Sequence, residues 1–137
     1  MKDLNTNSVL KTNNLSIGYN SKKIESIVAS NINIELHKGE LVGLIGANGI
    51  GKSTLLRTLT NVQQSISGDV FINNKEFNKL SNNQLAKALS LVLTEHITSK
   101  NLSVLELVAL GRQPYTNWIG NLSKHDKDID NNAILKT

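Results

Sequence analysis

The sequence predicts an α/β fold: an antiparallel β portion toward the N-terminus, then a buried strand that leads through a glycine-rich loop into a helix, then further helices. Three observations carry this reading. Leu15, Ile17 and Tyr19 alternate with Ser16 and Gly18, the period of a half-buried strand. Leu41-Val42-Gly43-Leu44-Ile45 is apolar on both faces and runs directly into glycines and an apolar-faced helical stretch, Ser53 to Leu59. Ser103 with Glu106, and Ser123 with Asp126, repeat the spacing of a helix capping box.

In chain order, a first strand ends near Tyr19. Ile24, Ile27 and Val28, then Ile32, Ile34 and Leu36, continue the strand pattern as far as a turn at His37-Lys38-Gly39-Glu40, which predicts an antiparallel sheet. After the strand, loop and helix of residues 41–59, a turn at residues 65–68 leads to a short strand, Asp69 to Ile72. Ser81 precedes a helical stretch, Gln84 to Ala88, and Leu89 to Leu93 read as a second buried strand. A helix opens after Ser103 and closes at Gly111, placed as a C′ glycine. Another starts near Lys124 and is scarcely built by Thr137.

A chain of 137 residues accommodates one core. It contains no cysteine, which excludes disulfides, thiolate nucleophiles and cysteine-ligated metal sites and makes the cytosol the default compartment. The longest apolar run, residues 41–47, is far short of the ~20 residues that a spanning helix needs, and the first ten residues lack a signal-peptide apolar region. The net charge of +4 permits an anionic partner, but the basic residues are dispersed and only 4% of residues are aromatic, so no nucleic-acid surface is expected. Nineteen asparagines favour turns and caps over element interiors.

Gly46-Ala47-Asn48-Gly49-Ile50-Gly51-Lys52-Ser53 matches the phosphate-binding loop: two glycines, a lysine and a hydroxyl residue at fixed spacing. Glycines let backbone N–H groups turn inward around phosphates, and the following helix adds its unpaired amides and the positive end of its dipole. Lys52 would reach the β- and γ-phosphates, and the Ser53 hydroxyl would take one position on Mg²⁺. The pattern arises by accident in roughly 0.5% of chains this long, and a strand before it with a helix after it is the context it requires. The base-reading motif of GTPases is absent, since Asn74-Lys75-Glu76-Phe77 lacks the final aspartate.

Leu15-Ser16-Ile17-Gly18-Tyr19, and Lys38-Gly39-Glu40-Leu41-Val42-Gly43-Leu44-Ile45-Gly46 through Lys52-Ser53-Thr54-Leu55-Leu56, resemble the nucleotide-binding subunits of ABC transporters. Val104-Leu105-Glu106-Leu107-Val108-Ala109-Leu110-Gly111-Arg112-Gln113-Pro114-Tyr115 further resembles the subgroup that serves iron–siderophore, haem and cobalamin importers. The resemblance runs from about Leu15 to Ala133 and corresponds to the N-terminal half of a family member. It implies a P-loop NTPase core of the ABC type with an N-terminal antiparallel β portion over residues 1–100, and the start of a truncated helical subdomain over residues 101–137.

The resemblance also implies site roles. ATP and Mg²⁺ are the expected cofactors, with nucleotide contacts from Tyr19, Gly46, Asn48, Gly49, Gly51, Lys52, Ser53 and Thr54. Tyr19 falls where the family stacks an aromatic on adenine; read alone, it also fits a core tyrosine at a strand end. Glu95 aligns with the family's glutamine that contacts Mg²⁺ and the attacking water. A carboxylate coordinates the metal but offers no N–H donor, and read alone Glu95 also fits a solvated loop acid. Ala47 and Ile50 depart from the family's usual proline and small residue. Leu80-Ser81-Asn82-Asn83-Gln84 looks superficially like the family's LSGGQ signature, but it precedes the Glu95 loop and lacks the glycines, so it reads as a helix start.

The family's Asp-Glu strand and switch histidine are absent from these residues; His37, His96 and His125 read as surface histidines. The chain is therefore expected to be part of a protein about twice its size, to bind ATP and not to hydrolyse it alone. The parent would be an ABC-type transport ATPase on the cytoplasmic face of the inner membrane, importing iron–siderophore or a related metal chelate. Its expected partners are membrane permease subunits, a second ATP-binding subunit in a homodimer and, indirectly, a periplasmic binding protein. Leu102, Leu105 and Ala109 form one face that either meets the permease or packs in the core. The alternatives are a non-hydrolysing nucleotide-binding module and a P-loop protein acting on nucleic acid.

Overall fold

The computed structural model describes residues 8–21, 24–92, 103–115 and 123–136. It comprises two compact units, residues 1–89 and 90–137. The first is built on β1 (Ser8–Ser21), β2 (Ile24–Ile32), β3 (Glu35–His37), β4 (Ser67–Ile72) and β5 (Lys75–Glu76), with α1 (Lys52–Leu59) and α2 (Asn82–Ala88). The sheet runs β2-β1-β4-β5, with β3 also paired to β1, and every pairing is antiparallel.

β1 is the organiser because it pairs with three strands. Its buried residues alternate at first, at Ser8, Leu10 and Thr12, and then run consecutively at Leu15, Ser16 and Ile17. The alternation ends at left-handed Asn14 (φ 47°), and the register breaks between Asn13 and Ser16 against β4 and between Leu15 and Gly18 against β2. Gly68 lies against this kink: its φ of 81° needs glycine, and a Cβ there would strike the Asn14 carbonyl.

Thr12 is buried and joins β2 to β3. Its hydroxyl donates to the Ile32 carbonyl at 2.9 Å and accepts from the Ile34 N–H at 3.0 Å, bridging the two residues where the strands are interrupted. The core gathers Leu10, Leu15, Ile17, Leu59, Val70, Ile72 and Leu85. α1 turns Thr54, Thr58 and Leu59 inward, and Thr60 closes it by donating its hydroxyl to the Leu56 carbonyl at 2.8 Å. Asn73 and Asn74, both at positive φ, make the two-residue turn between β4 and β5. Ser81 and Gln84 cap α2 reciprocally, so the helix start expected at 80–84 is present.

Two expected strands are not formed. Residues 40–46 join no ladder among the described residues, and Leu41 and Ile45 are almost fully exposed at 101% and 93%. Residues 89–92 are likewise irregular, and Val92 is exposed; Leu93 lies outside the described residues. A strand apolar on both faces is stable only between paired neighbours with a layer on each side, and no described strand pairs with either segment. β1, in turn, starts earlier than the alternation at Leu15 shows.

The second unit contains α3 (Val104–Leu110) and α4 (Lys124–Ile134). Both carry the expected capping boxes, Ser103 with Glu106 and Ser123 with Asp126. α4 is a full eleven-residue helix rather than a rudiment. Gly111 sits at the C-cap of α3 with ordinary right-handed φ of −63°, because the chain continues into a 3₁₀ turn, Gln113–Tyr115, instead of reversing. Arg112 ties the two helices together, its Nε donating to Asp126 Oδ1 at 2.9 Å while its guanidinium stacks over the Tyr115 ring at 4.3 Å.

Candidate functional site

The glycine loop and α1 form the candidate site. Gly49 (φ 80°) and Gly51 (φ 107°) occupy left-handed conformations, which frees the chain to curl before the helix. Gly51 is the N-cap, with no side chain capping the helix and no acidic residue in its first turn. A Cβ at Gly51 would lie 2.5 Å from Val28 Cγ1, so the loop leans directly on the sheet. The amides of the first turn have no partner within the helix, and the positive end of the dipole faces the loop. The Lys52 ammonium folds back over the loop, donating to the Gly46 and Ala47 carbonyls at 2.7 Å each. Ser53 is exposed and Thr54 is buried.

Ala47 and Ile50, the two departures from the family pattern, share one turn of the loop. Ile50 N–H donates to the Ala47 carbonyl at 3.4 Å, and the Ile50 side chain closes on Gly46, where a Cβ would lie 3.2 Å from Ile50 Cγ2. The bulkier residue therefore packs on the loop's own first glycine.

Tyr19 stands at the end of β1 with 54% of its surface exposed. Its phenol oxygen shares a 3.1 Å hydrogen bond with Thr54 Oγ1, so the structure brings the strand-end aromatic and the loop helix together. Beside it lies a cleft of about 440 Å³ lined by Gly18, Tyr19, Asn20, Arg57, Val62 and Gln63, among others. Gln63, which no sequence pattern marks, donates its side-chain amide to the Gly18 carbonyl, 45 residues earlier in the chain. Asn48 lies exposed in the turn of the loop. Glu95 and His96 lie outside the described residues, as does Leu102; Leu105, on α3, is exposed. Among the described residues, no three His, Asp or Glu side chains converge as a metal site.

The ABC transporter family model matches residues 29–136. An uncharacterized ABC transporter ATP-binding protein of Methanocaldococcus jannaschii is 41% identical over 121 residues, 88% of this chain and 40% of that protein. An iron(3+)-hydroxamate import ATP-binding protein of Bacillus subtilis is 34% identical over 128 residues, 93% of this chain and 46% of that protein. The chain thus spans less than half the length of these two relatives. A dimeric structure of a bacterial ABC transporter cassette superposes with a TM-score of 0.72 at 25% identity, covering 91% of this chain and 54% of that one. The loop, the helix behind it and the antiparallel sheet it leans on are thus parts of the ABC ATPase cassette fold, and the chain belongs to the ABC transporter family.

Proposed function

We propose that this chain is the nucleotide-holding part of the ATP-binding subunit of an ABC importer. The observation that carries the reading is the start of α1: first-turn amides without intrahelical partners, no acidic residue in that turn, left-handed Gly49 and Gly51, and one ammonium folded onto the loop. That set of donors suits a polyphosphate. Gly46, Asn48, Gly49, Gly51 and Thr54 would hold the phosphates chiefly through backbone N–H groups, with Lys52 turning from its carbonyl partners to the terminal phosphates. Ser53 is the exposed hydroxyl available to Mg²⁺, and Glu95 is the second proposed ligand. A metal held by one hydroxyl, one carboxylate, phosphates and water needs no cluster of carboxylates. When bound, Mg²⁺ supplies charge neutralisation on the phosphate oxygens. Tyr19 would stack on the base.

Hydrolysis requires a group that activates water. The chain's residues supply no Asp-Glu strand, so the reading is binding without turnover by these 137 residues. The reading includes pairing with a second ATP-binding subunit and with permease subunits at the cytoplasmic face of a membrane, and membership in the family supports it. Import of a ferric chelate is supported by the name of the iron(3+)-hydroxamate import relative. No described helix is long and apolar enough to cross a membrane.

Equilibrium dialysis of the full chain against ATP, ADP and AMP, with and without Mg²⁺, tests the reading. Affinity should rise with each added phosphate and fall when Mg²⁺ is chelated. Equal binding of AMP and ATP would overturn it.

A further inference from the structure

Tyr19 is fixed at three points, and one of them belongs to no recognised motif. The phenol oxygen is held by Thr54 Oγ1 at 3.1 Å. The backbone pairs with Ser26 of β2, and Gly18 approaches that strand so closely that a Cβ would strike the Ser26 carbonyl. On its other side the Gly18 carbonyl accepts the side-chain amide of Gln63. Gln63 itself is anchored beyond the end of α1, where its N–H donates to the Arg57 carbonyl at 3.1 Å. The peptide leading into Tyr19 is thus clamped between β2 and Gln63, and the ring tip is pinned to α1.

We propose that Gln63 is a positioning residue for Tyr19, and through it for the base end of a bound nucleotide. The inference rests on the proposed reading of the loop as a nucleotide site. A tyrosine ring has only two rotatable side-chain bonds, so fixing its backbone and its hydroxyl fixes the plane it offers to a base. The half-exposed ring then presents a face already oriented, and binding spends little free energy on ordering it. Among the described residues the hydrogen bonds of Gln63 go to Gly18 and Arg57 and none to the glycine loop, so its effect is expected at the base and not at the phosphates.

The test uses the full chain and two probes, Mg·ATP and Mg·tripolyphosphate, the second lacking any base. Gln63→Met keeps the side-chain length and removes the donor. It should weaken Mg·ATP binding by roughly three- to tenfold, a partial loss of a stacking contact, while Mg·tripolyphosphate affinity holds at the parent value. In a Tyr19→Ala background the same substitution should have no further effect on Mg·ATP, since the group it positions is gone. Equal loss of both probes would mean that Gln63 supports the fold generally, and no loss of either would mean that the clamp is idle. Additive losses with Tyr19→Ala would place its action elsewhere. Each of these overturns the inference alone. Failure of the parent chain to bind tripolyphosphate would overturn the loop reading, and the inference with it.

Discussion

Lys52 Nζ donates to the carbonyl oxygens of Gly46 and Ala47, at 2.7 Å each, and so closes the glycine loop on itself. The lysine of the loop is a structural cross-link as well as the cation offered to a ligand. Lys52→Met, which keeps the stem and removes the ammonium, should speed amide hydrogen exchange in residues 46–50 and leave exchange in β1 and β4 unchanged. Unchanged exchange in the loop would show that the cross-link does not order it.

Thr12 should matter more than its type suggests. Thr12→Val keeps the shape but leaves the partly buried Ile32 carbonyl and Ile34 N–H without their side-chain partner, at a cost of about 1 kcal/mol or more. Thr12→Ser should recover most of it. Urea unfolding of the three chains is the measurement.

Gly51→Ala meets two penalties together: a positive φ of 107° and a Cβ 2.5 Å from Val28 Cγ1. The backbone strain alone is on the order of 1–3 kcal/mol. Trimming the contact with Val28→Ala should therefore rescue thermal stability only in part, and full rescue would show that the clash alone sets the cost.

Asp126 gives the second unit an acid limit. The Ser123 hydroxyl and then the Arg112 guanidinium hold its carboxyl down to about 2, against an ordinary 3.8. Folding therefore favours the ionised form, and the contribution is complete above pH 3.8 and lost as pH falls from there through about 2. Helical circular dichroism and α4 amide protection should decline over that window, and Asp126→Asn should remove the pH dependence of α4 protection there and shrink the circular dichroism step. The cap on α3 adds to the acid step in the same direction, because the Ser103 hydroxyl and backbone lower the carboxyl of Glu106 too.

Local signals in the sequence were strong where a single residue type has a single use. Ser81, Ser103 and Ser123 each cap a helix, and the glycine loop and its helix lie where the spacing puts them. The bias toward asparagine has a structural outlet: Asn14, Asn31, Asn61, Asn73 and Asn74 all take left-handed conformations, as their short amides permit. What could not be read was what depends on distant partners. The apolar run 41–45 has strand character in itself, but a strand exists only in pairs. The burial of Ser8 and Thr12 is hidden because the alternation of β1 is broken at Asn14 and its register slips on both sides. Gln63 reaches Gly18 across 45 residues, a contact that no periodicity encodes.

Everything proposed for this chain depends on the loop from Gly46 to Ser53 holding a nucleotide by its phosphates. Calorimetric titration of the full chain and of Lys52→Ala with Mg·ATP tests it most directly. Saturable one-to-one binding by the parent chain is expected, with a loss of affinity of roughly 100-fold in the variant and superimposable circular dichroism of the two chains. Equal affinity in the two chains would contradict it.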